Sequence, residues 1–173
     1  ATHPMKFTRA QLSKFLPDAD AIRAFEELIS LAEGADNKVG AQVLLTPKTA
    51  TSTTLVDAAS VPVLANVPYK FEIYGAFNTA SNSFGTRWVI DGPATSILHY
   101  TSRYPISQTI QSVNQLTAYN MPASATGTSV DGVFSFDGII RATAAGSLAL
   151  KFASSGASAV DLLSGYMRLI RLT

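Results

Sequence analysis

Val67-Pro68-Tyr69-Lys70-Phe71-Glu72-Ile73-Tyr74-Gly75 and Tyr166-Met167-Arg168-Leu169-Ile170-Arg171 are the two stretches that decide the fold. In the first, Phe71, Ile73 and Gly75 alternate with Glu72 and Tyr74; in the second, Tyr166, Arg168 and Ile170 alternate with Met167, Leu169 and Arg171. A period of two sends successive side chains to opposite faces of a pleated strand. Each stretch therefore predicts a strand whose two faces meet different surroundings.

The same texture runs on both sides of them. From Val39 onward, short segments rich in β-branched and aromatic residues are punctuated by Gly, Pro, Asn and Asp, and predict strands at 42–46, 53–57, 69–77, 86–91, 97–102, 108–113, 132–142, 147–153, 159–162 and 166–172. Pro62, Pro68, Pro93, Pro105 and Pro122 are expected between strands, because proline cannot donate to a ladder. Eight to ten strands with no intervening helix point to a mainly β fold, an antiparallel β-sandwich over 39–173.

Residues 1–38 read differently, holding 11 of the 25 charges of a 173-residue chain. Thr8 and Gln11 form a capping-box pair ahead of a short helix that Pro17 ends. Asp18 or Asp20 can cap a second helix that Gly34 closes. Ile22, Phe25, Ile29 and Ala32 fall on one stripe of it, a candidate oligomer interface, or a face that docks on the chain's own β-domain. The expected organisation is thus a short N-terminal helical segment for anchoring and oligomerisation (1–38), then the sandwich.

Composition narrows the function classes. Thirteen basic against twelve acidic residues, with no Lys/Arg run, give no field that gathers phosphates, so no nucleic-acid partner is expected. Without cysteine there is no disulfide, thiolate zinc site or thiol catalysis. Serine and threonine number 35, so the polar surface is hydroxyl-rich and ion-poor. No apolar run approaches the roughly 20 residues of a membrane span, and no basic start with an apolar core marks a secretory signal, so a soluble protein without membrane insertion is expected. Ala1 fits removal of an initiator methionine, whereas a start at Met5 would make Ala1 to Pro4 a cloning remnant.

Chemistry-bearing patterns are sparse. Asp91-Gly92, Asp131-Gly132 and Asp137-Gly138 lack calcium-loop spacing and read as tight turns. His99 sits in a predicted strand with no local metal-ligand spacing, and no Gly-x-Ser-x-Gly elbow accompanies the two histidines. The acids Asp57, Glu72, Asp91, Asp131, Asp137 and Asp161 are scattered rather than paired for glycoside hydrolysis. No catalytic, metal or cofactor residue is therefore assigned, and no enzyme activity is expected. Aromatic residues crowd one third of the chain, and Tyr100, Arg103 and Tyr104 are the candidate ligand or partner surface. The stretch 77–85 reads as a polar hairpin tip suited to variable contacts.

Residues 137–153, with Gly146-Ser147-Leu148-Ala149-Leu150-Lys151-Phe152-Ala153 at their end, continue to Ser164-Gly165-Tyr166-Met167-Arg168-Leu169 and resemble the closing strands of tailed-bacteriophage virion proteins. There a glycine-turned hairpin precedes a last strand of this type. The strand from Val67 to Tyr74 resembles the early strand of that module, and Phe7-Thr8-Arg9-Ala10-Gln11-Leu12 resembles helical leaders of phage structural proteins. The resemblance implies a compact jelly-roll-like or tumour-necrosis-factor-like sandwich, assembled as a homotrimer and serving as a head fibre, capsid decoration (cement) or tail-fibre component. It further implies capsid or tail proteins as partners, and a virion location after assembly in the bacterial host cytoplasm. A knob binding a host surface glycan or receptor is the alternative role.

Overall fold

A computed structural model describes residues 39–81, 83–107, 109–122 and 131–172. The helical segment expected over 1–38, with Ile22, Phe25, Ile29 and Ala32, lies outside the described residues. What is described is mainly β: ten strands, β1 (Val39–Leu45), β2 (Lys48–Ala50), β3 (Val56–Val63), β4 (Pro68–Thr79), β5 (Thr86–Asp91), β6 (Thr95–Pro105), β7 (Gln111–Leu116), β8 (Gly132–Ala142), β9 (Gly146–Ser154) and β10 (Val160–Arg171). One sheet runs β1-β10-β4-β8-β6-β7, with β2 extending the β1 edge against β10; the other runs β3-β9-β5. Every pairing is antiparallel.

The inward phase of each strand makes one shared core. Tyr69, Phe71, Ile73 and Phe77 of β4, Phe134 and Phe136 of β8, and Met167 and Leu169 of β10 meet Trp88 and Ile90 of β5 and Leu148, Leu150 and Phe152 of β9. Trp88 stacks on Phe152 beside it (4.9 Å, 10°) and on Phe134 of the opposite sheet (4.0 Å, 20°), with Phe77 5.1 Å away. Aromatic contacts thus join the two sheets directly.

Several expectations are corrected. Asp137-Gly138 is no turn but the middle of β8, between Phe71 and Tyr100 in register. A Cβ on Gly138 would stand 2.4 Å from Tyr100 Cβ and 2.5 Å from the His99 carbonyl oxygen; the missing side chain lets the Phe71 and Tyr100 rings approach to 6.1 Å. Pro62 lies inside β3, tolerated because β3 is an edge strand. The 53–57 strand begins late, at Val56, and runs on to Val63. The stretch after Phe77 is not a hairpin tip, because β4 and β5 belong to different sheets, and Phe77 itself is buried. Nor do β8 and β9 make a hairpin: the chain crosses between sheets there. The segments 159–162 and 166–172 are one strand, β10, carried through a bulge between Leu162 and Ser164 that keeps Leu162 and Gly165 in the inward phase.

Candidate functional site

Of the three residues expected to form a ligand or partner surface, only Arg103 is exposed. Tyr100 is 4 % exposed and Tyr104 fully buried, both pointing into the core from β6. The Tyr100 hydroxyl donates to the Ala118 carbonyl (2.9 Å), and burial pushes its pKa up. Arg103 takes the other phase of β6 and lies 3.8 Å from Asp137 on the outer face of the larger sheet.

That outer face carries the aromatic surface. Strand register aligns Leu44, Tyr166, Tyr74, Ser135, Arg103 and Val113 in one row across β1, β10, β4, β8, β6 and β7. Tyr74 is 45 % exposed and stacks on Tyr166 (6.3 Å, 28°), while the Arg168 guanidinium lies 5.5 Å from the Tyr166 ring centre. Leu44 is 69 % and Val113 57 % exposed, and Val133 and Ile139 add further apolar surface on β8.

A polar row runs beside it: Gln42, Arg168, Glu72, Asp137, Thr101 and Gln115. Glu72 accepts a hydrogen bond from Arg168 Nε (2.6 Å), and its carboxylate also holds Lys70 Nζ (2.6 Å). The hydrogen bond from Lys70, with help from Arg168, keeps the Glu72 carboxyl below the usual carboxylate range. A shallow cavity of about 500 Å³ between His99, Thr101, Gln115, Thr117 and Asp137 belongs to the same face. The signal for Tyr74 and Tyr166 was present in the sequence: each occupies the phase opposite to the core residues of its own strand.

A second concavity, of about 460 Å³, lies on the outer face of the smaller sheet, floored by Ala59, Ala149 and Gly92 and rimmed by Lys48, Asp57, Asp91 and Lys151. Lys151 Nζ bridges Asp91 (2.8 Å) and Asp57 (3.6 Å). Asp91 also accepts from the Gly92 amide (2.9 Å) and Asn120 Nδ2 (3.3 Å). Arg87 donates to the Pro122 carbonyl (2.8 Å) and the Asn120 carbonyl (3.0 Å). These bonds lace the segment after β7 onto β5, and Tyr119 lies over Gly92 with burial, and then Asp91's charge, pushing its hydroxyl up to about 12.

The cluster predicts an acid sensitivity. The hydrogen bond from Lys151, aided by those from Gly92 and Asn120, holds the Asp91 carboxyl below its ordinary value. A carboxyl with a lowered folded pKa adds stability that is complete above the unfolded value of about 4 and fades as pH falls through the folded one. Asp91→Ala is expected to cost about 1 kcal/mol near neutrality, discounted for partial exposure. In urea titrations its gap from the wild-type chain should shrink at low pH; a gap that widens there contradicts the assignment.

Among the described residues no three His, Cys, Asp or Glu side chains gather as a metal site, and no helix is long and apolar enough to cross a membrane. No family model matches the sequence, and neither does any curated protein. A solved structure with some likeness is that of the Clostridium thermocellum endo-1,4-beta-D-xylanase 10B CBM22-1-GH10 modules complexed with xylohexaose, at 9 % identity and a TM-score of 0.31. The match takes in 80 % of this chain and 27 % of that one; a likeness this slight carries no argument.

Proposed function

We propose that the chain is a structural, non-enzymatic virion protein of a tailed bacteriophage. It would act as a trimeric appendage or decoration, of head-fibre, cement or tail-fibre type, with residues 1–38 as the attachment and the β-body as the assembling part. The sequence resemblance at 137–153, 159–160 and 164–169, with that of 67–74, supports the family reading. The alternation of the chain between sheets, with β1-β10-β4-β8 in one and β3-β9-β5 in the other, supports a jelly-roll-like reading of the sandwich.

One observation carries the role: the outer face of the larger sheet leaves Leu44, Tyr74, Val113, Val133 and Ile139 in solvent, where a sheet with no partner carries polar residues. The test is location. Antibody against the β-body should label purified phage particles at a regular position, and mass spectrometry should find the chain there in multiples of three. Absence from purified particles, with abundance in the infected-cell lysate, defeats the proposal.

The Tyr74–Tyr166 pair favours a second reading, a knob that binds a host glycan or receptor, since an exposed and a half-buried tyrosine beside hydrogen-bonding side chains such as Gln42 and Arg168 suit such ligands. Soluble protein should then block adsorption of the phage; adsorption unaffected by saturating protein removes this reading.

A further inference from the structure

We infer that the outer face of the larger sheet, centred on Tyr74 and Tyr166, is the surface on which a second copy of this chain seats. The inference rests on the structural role proposed above and names the partner of its exposed face.

Size is the first argument. Six strands spaced about 4.8 Å apart, with roughly 35 Å of strand length, present an area on the order of 800 Å². A stable interface occupies about that much of each partner. The face can therefore make a full interface without any other element.

Charge is the second. Each carboxylate in the two central rows already has a cation on the same face: Glu72 holds Lys70 and Arg168, and Asp137 lies near Arg103. Three cations thus stand against two carboxylates. A copy of the same chain brings carboxylates that are already paired and a surplus of one cation among these groups, so little unmatched charge has to be buried.

The aromatic geometry is the third. Tyr166 is flanked by the Arg168 guanidinium, 5.5 Å from its ring centre, and by the Tyr74 ring at 6.3 Å, so the three side chains form one continuous surface. What reaches outward is a low amphipathic ridge between Leu44 on one side and Val133 and Ile139 on the other. Aromatic and Arg side chains at the centre of an aliphatic patch are the usual anchors of a protein interface.

Sedimentation velocity on the full chain tests this. Tyr74→Glu on β4 should weaken self-association about 100-fold, as expected for a central anchor, and Leu44→Glu, at the β1 side of the face, about 10-fold. Leu64→Glu, an exposed leucine between β3 and β4, should leave it unchanged. Hydroxyl-radical footprinting of the unsubstituted chain needs no variant: Tyr74 and Tyr166 should be protected in the assembled species and gain reactivity on dilution. Folded Tyr74→Glu and Leu44→Glu proteins that keep the wild-type mass, or tyrosines equally reactive at all concentrations in an oligomer, overturn the inference and leave the virion role standing. A wild-type chain that stays monomeric at high micromolar concentration overturns the inference together with the trimeric assembly. Protection of the tyrosines in such a monomer by soluble oligosaccharide would transfer the face to the glycan-binding reading.

Discussion

Trp88→Ala lowers the stability of the β-body by about 3 to 5 kcal/mol, the range for emptying a large aromatic site. The indole is fully buried and touches rings from both sheets, so its loss opens a hole at the join between layers rather than inside one of them. A domain whose whole stability is about 5 to 15 kcal/mol then sits close to unfolding. The urea midpoint should fall with the slope of the transition little changed. Trp88→Phe is the informative companion: the indole N–H meets no acceptor among the described residues, so phenylalanine discards an unmet donor along with some volume, and the cost should be visibly smaller. A Trp88→Ala loss below about 1 kcal/mol would show that the sheets are not held together at this point.

Gly165→Ala is the second large effect, at about 2 to 4 kcal/mol from a strained backbone and a contact that cannot relax. Gly165 has φ +154°, and a Cβ there would lie 2.1 Å from the Tyr74 carbonyl oxygen and 2.6 Å from Gly75 Cα. Both obstacles are main chain of the neighbouring strand, so no side-chain rotation relieves them. Gly146→Ala, where the nearest atom is a Pro93 side-chain carbon at 3.0 Å, should cost far less. Because Gly165 immediately precedes Tyr166, a folded Gly165→Ala protein should also show a disturbed tyrosine pair, read as a change in near-ultraviolet circular dichroism. Equal midpoints for the two glycine variants would contradict the placement of Gly165.

Much of this architecture was written in the alternation of residues. The phase of Phe71 and Ile73 against Glu72 and Tyr74, and of Met167 and Leu169 against Tyr166 and Arg168, assigns the core and outer faces of β4 and β10 correctly. Partner choice was not legible, because a period of two describes one strand and is silent about its neighbours. Hence 77–85 read as a hairpin, although β4 and β5 lie in different sheets. Asp137-Gly138 misled because a turn and a strand glycine beneath two rings have the same local sequence; only the positions of Phe71 and Tyr100 decide between them. An aromatic cluster in sequence carries no direction, so by itself it does not distinguish the buried Tyr100 and Tyr104 from surface residues. Their own spacing of four, with Leu98 and Ser102 in the same phase, places them on the buried side of β6.

The strand nearest the end of the chain bonds to three others: β10 pairs with β1 and β2 along one edge and with β4 along the other. Without residues 160–171, β1 and β2 have no strand to pair with and β4 keeps only its β8 edge. Joining β1 and β2 to this strand brings together parts of the chain more than a hundred residues apart, and such pairings form slowly. The larger sheet closes only when its first and last strands are both present.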